Sequence, residues 1–437
     1  MTAPWVDEAK HPVYGLFLVT LAVCLIRAPN LPSLDVDAAG TTLSLTPADV
    51  LLLVLLGAVV WTLATGPWPA GGTIFVLAAA GAFAAWLLGS SVPNGAAAFV
   101  AAGKLVELSV LAFAAAVLLD RAARFEPLLV LLTAITVVAA SIAAFGGLKD
   151  PGRRQESFLG EHNLATLSGF AIAFGLFSLA TGRRELGRLP LVALVFGAVG
   201  ITFGASFSGA LGLYLVTAAV LAIAHVRSEL RRRGAAWALL VCAAVTAGTL
   251  MLRSDNLGFL RDWFGTSANE EASSTAGSWS SRLIFAYVGG RVFLDHPVLG
   301  TGWYGELPPE EYAQYLPAAH AHFPDQPENY FPPVDGTYIP QQAYDQVLYL
   351  LGIVGAVLLL LLGIAALAGG VRAARRWPRA GPAESPAYLP LAWLLATIGA
   401  LAGTAFFGGT PLATLFWLSI GVAAAVPTLL ARVKESR

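Results

Sequence analysis

Long apolar runs, broken by short polar stretches, cover most of this chain. They fall at about 12–27, 47–65, 72–90, 97–119, 127–147, 161–181, 188–205, 207–226, 234–252, 341–368, 386–408 and 411–432. A helix needs about 20 such residues to cross a bilayer, and an unpaired amide in lipid costs several kcal/mol. The pattern therefore predicts an all-α integral membrane protein with about twelve transmembrane helices. Only Ser206 and its neighbours separate 188–205 from 207–226. Together these two runs are too long for one crossing, so a tight re-entry is expected there. One stretch breaks the rhythm, 253–340. It predicts one large loop, helical over 280–295, Pro-rich and mostly irregular over 305–340, and folded back over the bundle. The chain divides into an N-terminal bundle of about nine helices (1–252), the loop (253–340) and three C-terminal helices (341–437).

Composition agrees. Of 437 residues 57% are apolar and 12% charged, with a mean hydropathy of +0.71. A soluble domain carries about twice that charged fraction. The basic residues orient the bundle. With the amino terminus inside, 17 of the 26 Lys and Arg fall on the cytoplasmic side. Both termini are then cytoplasmic and the large loop is extracytoplasmic. The first run is followed by Arg27, Pro29 and Pro32 without a small-residue cleavage pattern, so it reads as an uncleaved span. A net charge of -1 gives no reason to expect nucleic acid. Cys24 and Cys242 lie inside apolar runs, away from other metal ligands, and imply no disulfide.

Polar residues in such a chain carry the chemistry. Lys104 and Glu107 stand three apart on one helix face, either as a mutually neutralising pair or as a substrate contact or proton path. The segment Gly152 to Asn163 sets Arg153, Arg154, Glu156, Glu161 and His162 at the outer surface. Arginine forks suit phosphate oxygens, although solvated loop charges and helix caps also read this way. In the large loop, Ser281 to Arg291 is amphipathic and leads into Leu294-Asp295-His296-Pro297-Val298-Leu299-Gly300-Thr301-Gly302-Trp303, a sharp turn after a helix. His320 and His322 stand one apart without a clear third ligand, so no metal site is expected.

Four segments together resemble the O-antigen ligase and O-antigen polymerase superfamily of membrane glycosyltransferases. They are Ser157 to Ala165, the serine turn Ser206 to Gly212, Arg282 to Gly302 with its Asp-His-Pro-x-x-Gly-x-Gly pattern, and Gln341 to Gly355. The resemblance implies transfer of a glycan from an undecaprenyl-pyrophosphate carrier to a lipid or glycan acceptor, at the outer face of the bacterial inner membrane. It implies no cofactor and no metal. Arg282 matches the family's loop arginine; Arg291, Arg153 and Arg154 are expected to complete the pyrophosphate site. Pyrophosphate is a good leaving group, so such an enzyme needs cations for its developing charge and one base for the acceptor hydroxyl.

The chain departs from the family at two places. Gln341-Gln342 stands where ligases commonly have His-Asn, and Ser208-Gly209 where many members have Ser-Arg. Glutamine cannot act as a base. His162 and Glu161 are the expected replacements, with His320, His322 and Asp345 as further candidates. Gln341, Gln342, Asn163, Tyr344, His320 and His322 are expected to bind the glycan or acceptor. Two other functions stay open: a multi-span small-solute transporter, and a catalytically inactive scaffold of glycan assembly. Polar groups gather in the outer loops rather than at the midplane, which favours the enzyme over a carrier.

Overall fold

The computed structural model describes residues 8, 10–38, 41–150, 155–182, 186–252, 274–304, 307–336, 342–378, 384–405 and 410–435. The chain starts with α1 (Pro12–Cys24), a two-stranded hairpin of β1 (Leu34–Ala38) and β2 (Thr41–Leu45), and α2 (Pro47–Thr65). Next come α3 (Gly71–Ser91), α4 (Gly95–Glu107), α5 (Val110–Leu118) and α6 (Phe125–Lys149). Then follow α7 (Glu161–Thr181), α8 (Leu189–Gly204), α9 (Phe207–Val226) and α10 (Arg232–Leu252). The loop region carries α11 (Ser274–Asp295), α12 (Pro309–Tyr312) and α13 (Leu316–His322). The last three helices are α14 (Ala343–Arg376), α15 (Ser385–Leu401) and α16 (Thr410–Glu435).

Eight helical segments among the described residues are long and apolar enough to cross a membrane; α1, α8 and α15 are shorter apolar helices. The chain is a helical membrane protein. Three local departures from the expected pattern have physical causes. The antiparallel hairpin pairs Leu34 with Leu45 and Val36 with Leu43, an apolar–polar alternation of period two. The run 97–119 is two helices, interrupted at Leu108 and Ser109. In the Pro-rich loop, α12 begins with Pro309 and α13 has Pro317 at its second position, both in the first turn, where the missing N–H costs nothing.

The core lies between α7, α8, α9, α15 and α16. Phe170 stacks on Trp393 at 4.8 Å and Phe177 on Tyr388 at 3.9 Å, joining α7 to α15. The Trp393 indole N–H also donates to Phe170 O at 3.1 Å. Close approach through small residues replaces a hydrophobic driving force in lipid. At the α9–α15 crossing, a Cβ on Gly399 would stand 2.5 Å from Gly212 Cα.

Ion pairs lock one end of the bundle. Arg124 donates to Glu8 at 3.0 Å and Asp120 at 2.9 Å, and Asp120 also takes Arg432. Glu8, the α5–α6 turn and the end of α16 are therefore at the same end. Arg227, after α9, pairs with Glu384 at 2.6 Å with both side chains buried, and donates to Trp377 O at 2.9 Å. This is the basic end. The opposite end carries the hairpin, the start of α7, the α8–α9 turn and the loop helices.

Candidate functional site

At the loop end, three interruptions of helical backbone bring the polar motifs together. The first opens α7. Gly160 is left-handed (φ 87°) and Asn163 Nδ2 donates back to Leu159 O at 2.6 Å. Asn163 Oδ1 is buried and has no hydrogen-bond partner among the described residues. His162 is half-buried beside it. Arg27, at the end of α1, reaches over this turn: its backbone N–H donates to Phe158 O at 3.1 Å, and its guanidinium pairs with Glu156 at 2.9 Å. A Cβ on Gly160 would stand 3.2 Å from Arg27 Cδ. Sequence reasoning missed Arg27 as a site residue, because 129 positions separate it from Glu156 and no local spacing signals the pair.

The second interruption is the re-entry at Ser206. Its hydroxyl caps α9 by accepting from Gly209 N–H at 3.0 Å, and Ser208 lies 3.4 Å from Ser206 Oγ. Gly209 packs on α7 so closely that a Cβ would stand 2.7 Å from Ala165 Cβ. The glycine in place of the family arginine is thus built into the α7–α9 contact.

The third interruption splits α14. Gly352 has φ 61° and ψ -167°, which ends one helix and begins another. The backbone groups it releases are taken up by the turn after α11. Thr301 N–H donates to Tyr349 O at 2.8 Å and Gly302 N–H to Leu350 O at 2.9 Å. Ile353 N–H donates to Pro297 O at 2.9 Å, and the Trp86 indole to Leu351 O at 3.2 Å. The Asp-His-Pro-x-x-Gly-x-Gly turn is therefore a splice in a broken membrane helix. Irregular backbone at such depth is tolerated only against protein or water. Gly302 in turn rests on α3 and its end, where Asn94 Nδ2 donates to Thr301 O at 3.3 Å.

The splice sets α11 against the start of α14. Gly289 packs over Asp345 and Tyr349, both buried. Arg282 is half-buried, two turns before Gly289 on the same face, and near enough to Tyr344 for an electrostatic effect. The Tyr344 hydroxyl donates to Gln342 Oε1 at 2.5 Å, and Gln342 is buried. Arg291 is exposed. Arg153, Arg154 and Gln341, and the side chain of Glu161, lie outside the described residues.

The two loop histidines point to different partners. His322 stacks on Tyr287 of α11 at 4.7 Å, whereas His320 stacks on Phe331 at 3.8 Å and lies 3.6 Å from Glu328. Among the described residues no group of three or more His, Cys, Asp or Glu is placed to hold a metal ion. The Tyr315 hydroxyl donates to Asp295 at 2.7 Å, and burial, then this bond, pushes its pKa up to about 12.

Lys104 keeps the expected pair with Glu107 and gains a closer partner. Its ammonium lies 2.6 Å from Asp49 of α2 and 3.7 Å from Glu107. The i,i+3 pair is thus the longer arm of a three-residue cluster. Asp49 also accepts from Thr46 N–H, capping α2, and the cluster lines a cavity of about 240 Å³ beside Ile26 and Ala28.

Residues 192–360 match the family model described as O-antigen ligase. That stretch is similar to an O-antigen ligase domain. It supports the O-antigen ligase/polymerase superfamily for this chain, and it holds the Ser206 turn, Arg282, the splice and the broken helix. The Ser157 to Ala165 segment lies before it. No curated protein matches the chain.

Proposed function

We propose that this chain is an O-antigen ligase-like membrane glycosyltransferase. It moves a glycan from an undecaprenyl-pyrophosphate carrier to an acceptor hydroxyl, as a ligase or polymerase, at the outer face of the bacterial inner membrane. The match of residues 192–360 to the O-antigen ligase family carries the reading. In it the chain crosses twelve times, the basic end and both termini are cytoplasmic, and loop 253–340 is outside. The 17-residue cytoplasmic share of Lys and Arg supports that orientation.

The chemistry needs two provisions. As the acceptor oxygen bonds the anomeric carbon, the bond to the phosphate oxygen breaks and its electron pair leaves with pyrophosphate. Arg282, Arg291, Arg153 and Arg154 stabilise that charge, joined by Arg27 above the start of α7. His162 or Glu161 takes the acceptor proton. Asn163, Gln341, Gln342, Tyr344, His320 and His322 hold sugar hydroxyls.

The test is a gene deletion restored with wild type or with Arg282→Ala. Wild type should clear accumulated undecaprenyl-linked glycan, and Arg282→Ala should not, since removing one transition-state donor costs about 10²–10³-fold in rate. A lipid-linked glycan pool unchanged by deletion would sink the proposal and redirect attention to transport.

A further inference from the structure

A second cavity opens at the basic end, far from the motifs above. Its volume is about 480 Å³, and it lies between the ends of α7 and α8 and the approach to α10. Arg188, Arg231, Leu179, Leu191 and Leu194 are among the residues that line it. Neither arginine is in an ion pair among the described residues.

Arg231 is exposed, and the fold fixes its position at two points. Its backbone N–H donates to Ala180 O at 2.9 Å. Its guanidinium lies over Gly182, where a Cβ would stand 2.4 Å from Nη1 and 2.5 Å from Cζ. Gly182 is left-handed (φ 72°), so both the turn and the room for the guanidinium require glycine. Arg188 is the residue immediately before α8. Leu191 and Leu194 follow at about 4.5 and 9 Å along the α8 axis, a descent from headgroup level toward acyl chains. Leu191 is 61% exposed. Solvated basic residues at a membrane surface need neither a cavity nor an apolar wall. Two guanidiniums over an apolar descent match a phosphate carried on acyl chains.

We propose that this cavity binds a net-anionic phospholipid, its phosphate between Arg188 and Arg231 and its acyl chain along Leu191 and Leu194. The test uses the full chain in neutral detergent, titrated with phosphatidylglycerol, phosphatidylcholine or inorganic phosphate. Thermal midpoint and lipid retained in native mass spectrometry are the readouts. Phosphatidylglycerol should raise the midpoint and stay bound, and the other two should not. Arg188→Gln and Arg231→Gln should each weaken retention about tenfold, the loss of one charged hydrogen bond. Arg232→Gln with Arg233→Gln, in the same segment but outside the cavity, should retain lipid like wild type. Arg188 is exposed, so its variant tests the site even where Arg231→Gln fails to fold. Equal stabilisation by phosphatidylcholine, reproduction by inorganic phosphate alone, or undiminished retention in the arginine variants would each overturn the proposal.

Discussion

Replacing Gly352 by alanine tests whether the turn after α11 is a splice. At φ 61° and ψ -167°, Gly352 occupies backbone space that is essentially glycine-only. An alanine forced to stay there costs about 1–3 kcal/mol. Its Cβ would also stand 2.4 Å from Val298 O and 2.5 Å from Gly300 N, both backbone atoms that no rotamer change can move. The turn has to retreat, loosening the bonds from Thr301, Gly302 and Ile353 that join the two segments. At about 1 kcal/mol net for each, the total reaches about 4–6 kcal/mol, at the extreme of single substitutions. Gly363 supplies the control: it lies on the same helix, and a Cβ there meets nothing within 4 Å. Gly363→Ala should stabilise by up to about 1 kcal/mol through helix propensity. Both variants would be purified in detergent and compared by thermal midpoint and by limited proteolysis near 296–304. A large fall and new cleavage are expected for Gly352→Ala alone. Equal midpoints for the two variants would mean that α14 closes through the break without penalty, and the splice would be refuted.

Four further outcomes follow from the geometry. Glu384→Gln removes the 2.6 Å partner of the buried Arg227 and leaves it Glu229 at 3.3 Å. It should lower the unfolding free energy by less than the about 3–5 kcal/mol of a fully unpaired buried charge, and Glu384→Gln with Glu229→Gln should lower it further. Arg27→Ala should lower glycan transfer at least tenfold, while Glu156→Ala, which removes only an exposed pair worth about 0–1 kcal/mol, should leave it near wild type. Restoring the family arginine with Gly209→Arg should lower the thermal midpoint, because Ala165 already stands against that position. Tyr315 has a folded pKa raised to about 12 from an ordinary 10, so the neutral form is favoured by folding. The stability this contributes is full below pH 10 and lost as pH rises through 12; proteolysis of the loop should show that step in wild type and not in Tyr315→Phe.

The helices were legible because length and apolarity are nearly sufficient to locate a membrane helix. The re-entry at Ser206 was legible for the same reason. The hairpin carried a readable signal, Leu-Asp-Val-Asp before Thr-Thr-Leu-Ser-Leu, that a search for long apolar runs passes over. The break at Leu108 and Ser109 carried little, since neither Gly nor Pro stands at it. Partners distant in sequence were illegible in principle. Lys104 has a carboxylate three residues away that spacing rules find, and a nearer one, Asp49, on another helix that they cannot. The Asp295 to Gly302 turn was readable as compact, but the helix break it serves shows in sequence only as one more glycine in an apolar run.

Membrane physics ties the site to these interruptions. A continuous helix satisfies its own backbone, so each break needs outside partners and cannot face lipid. Asn163 Nδ2 serves the break at Gly160, Ser206 Oγ the re-entry, and the Thr301–Gly302 amides the break at Gly352. Much of the motif chemistry is therefore committed to holding irregular backbone, and alanine scanning there will mix folding losses with catalytic ones. Groups that do not close a break separate the two effects. Arg27 reaches over the α7 turn through its side chain, and its own exposed partner Glu156 serves as the internal control. Loss of transfer in Arg27→Ala with an unchanged thermal midpoint would assign it to the substrate; a fall in both would assign it to the turn.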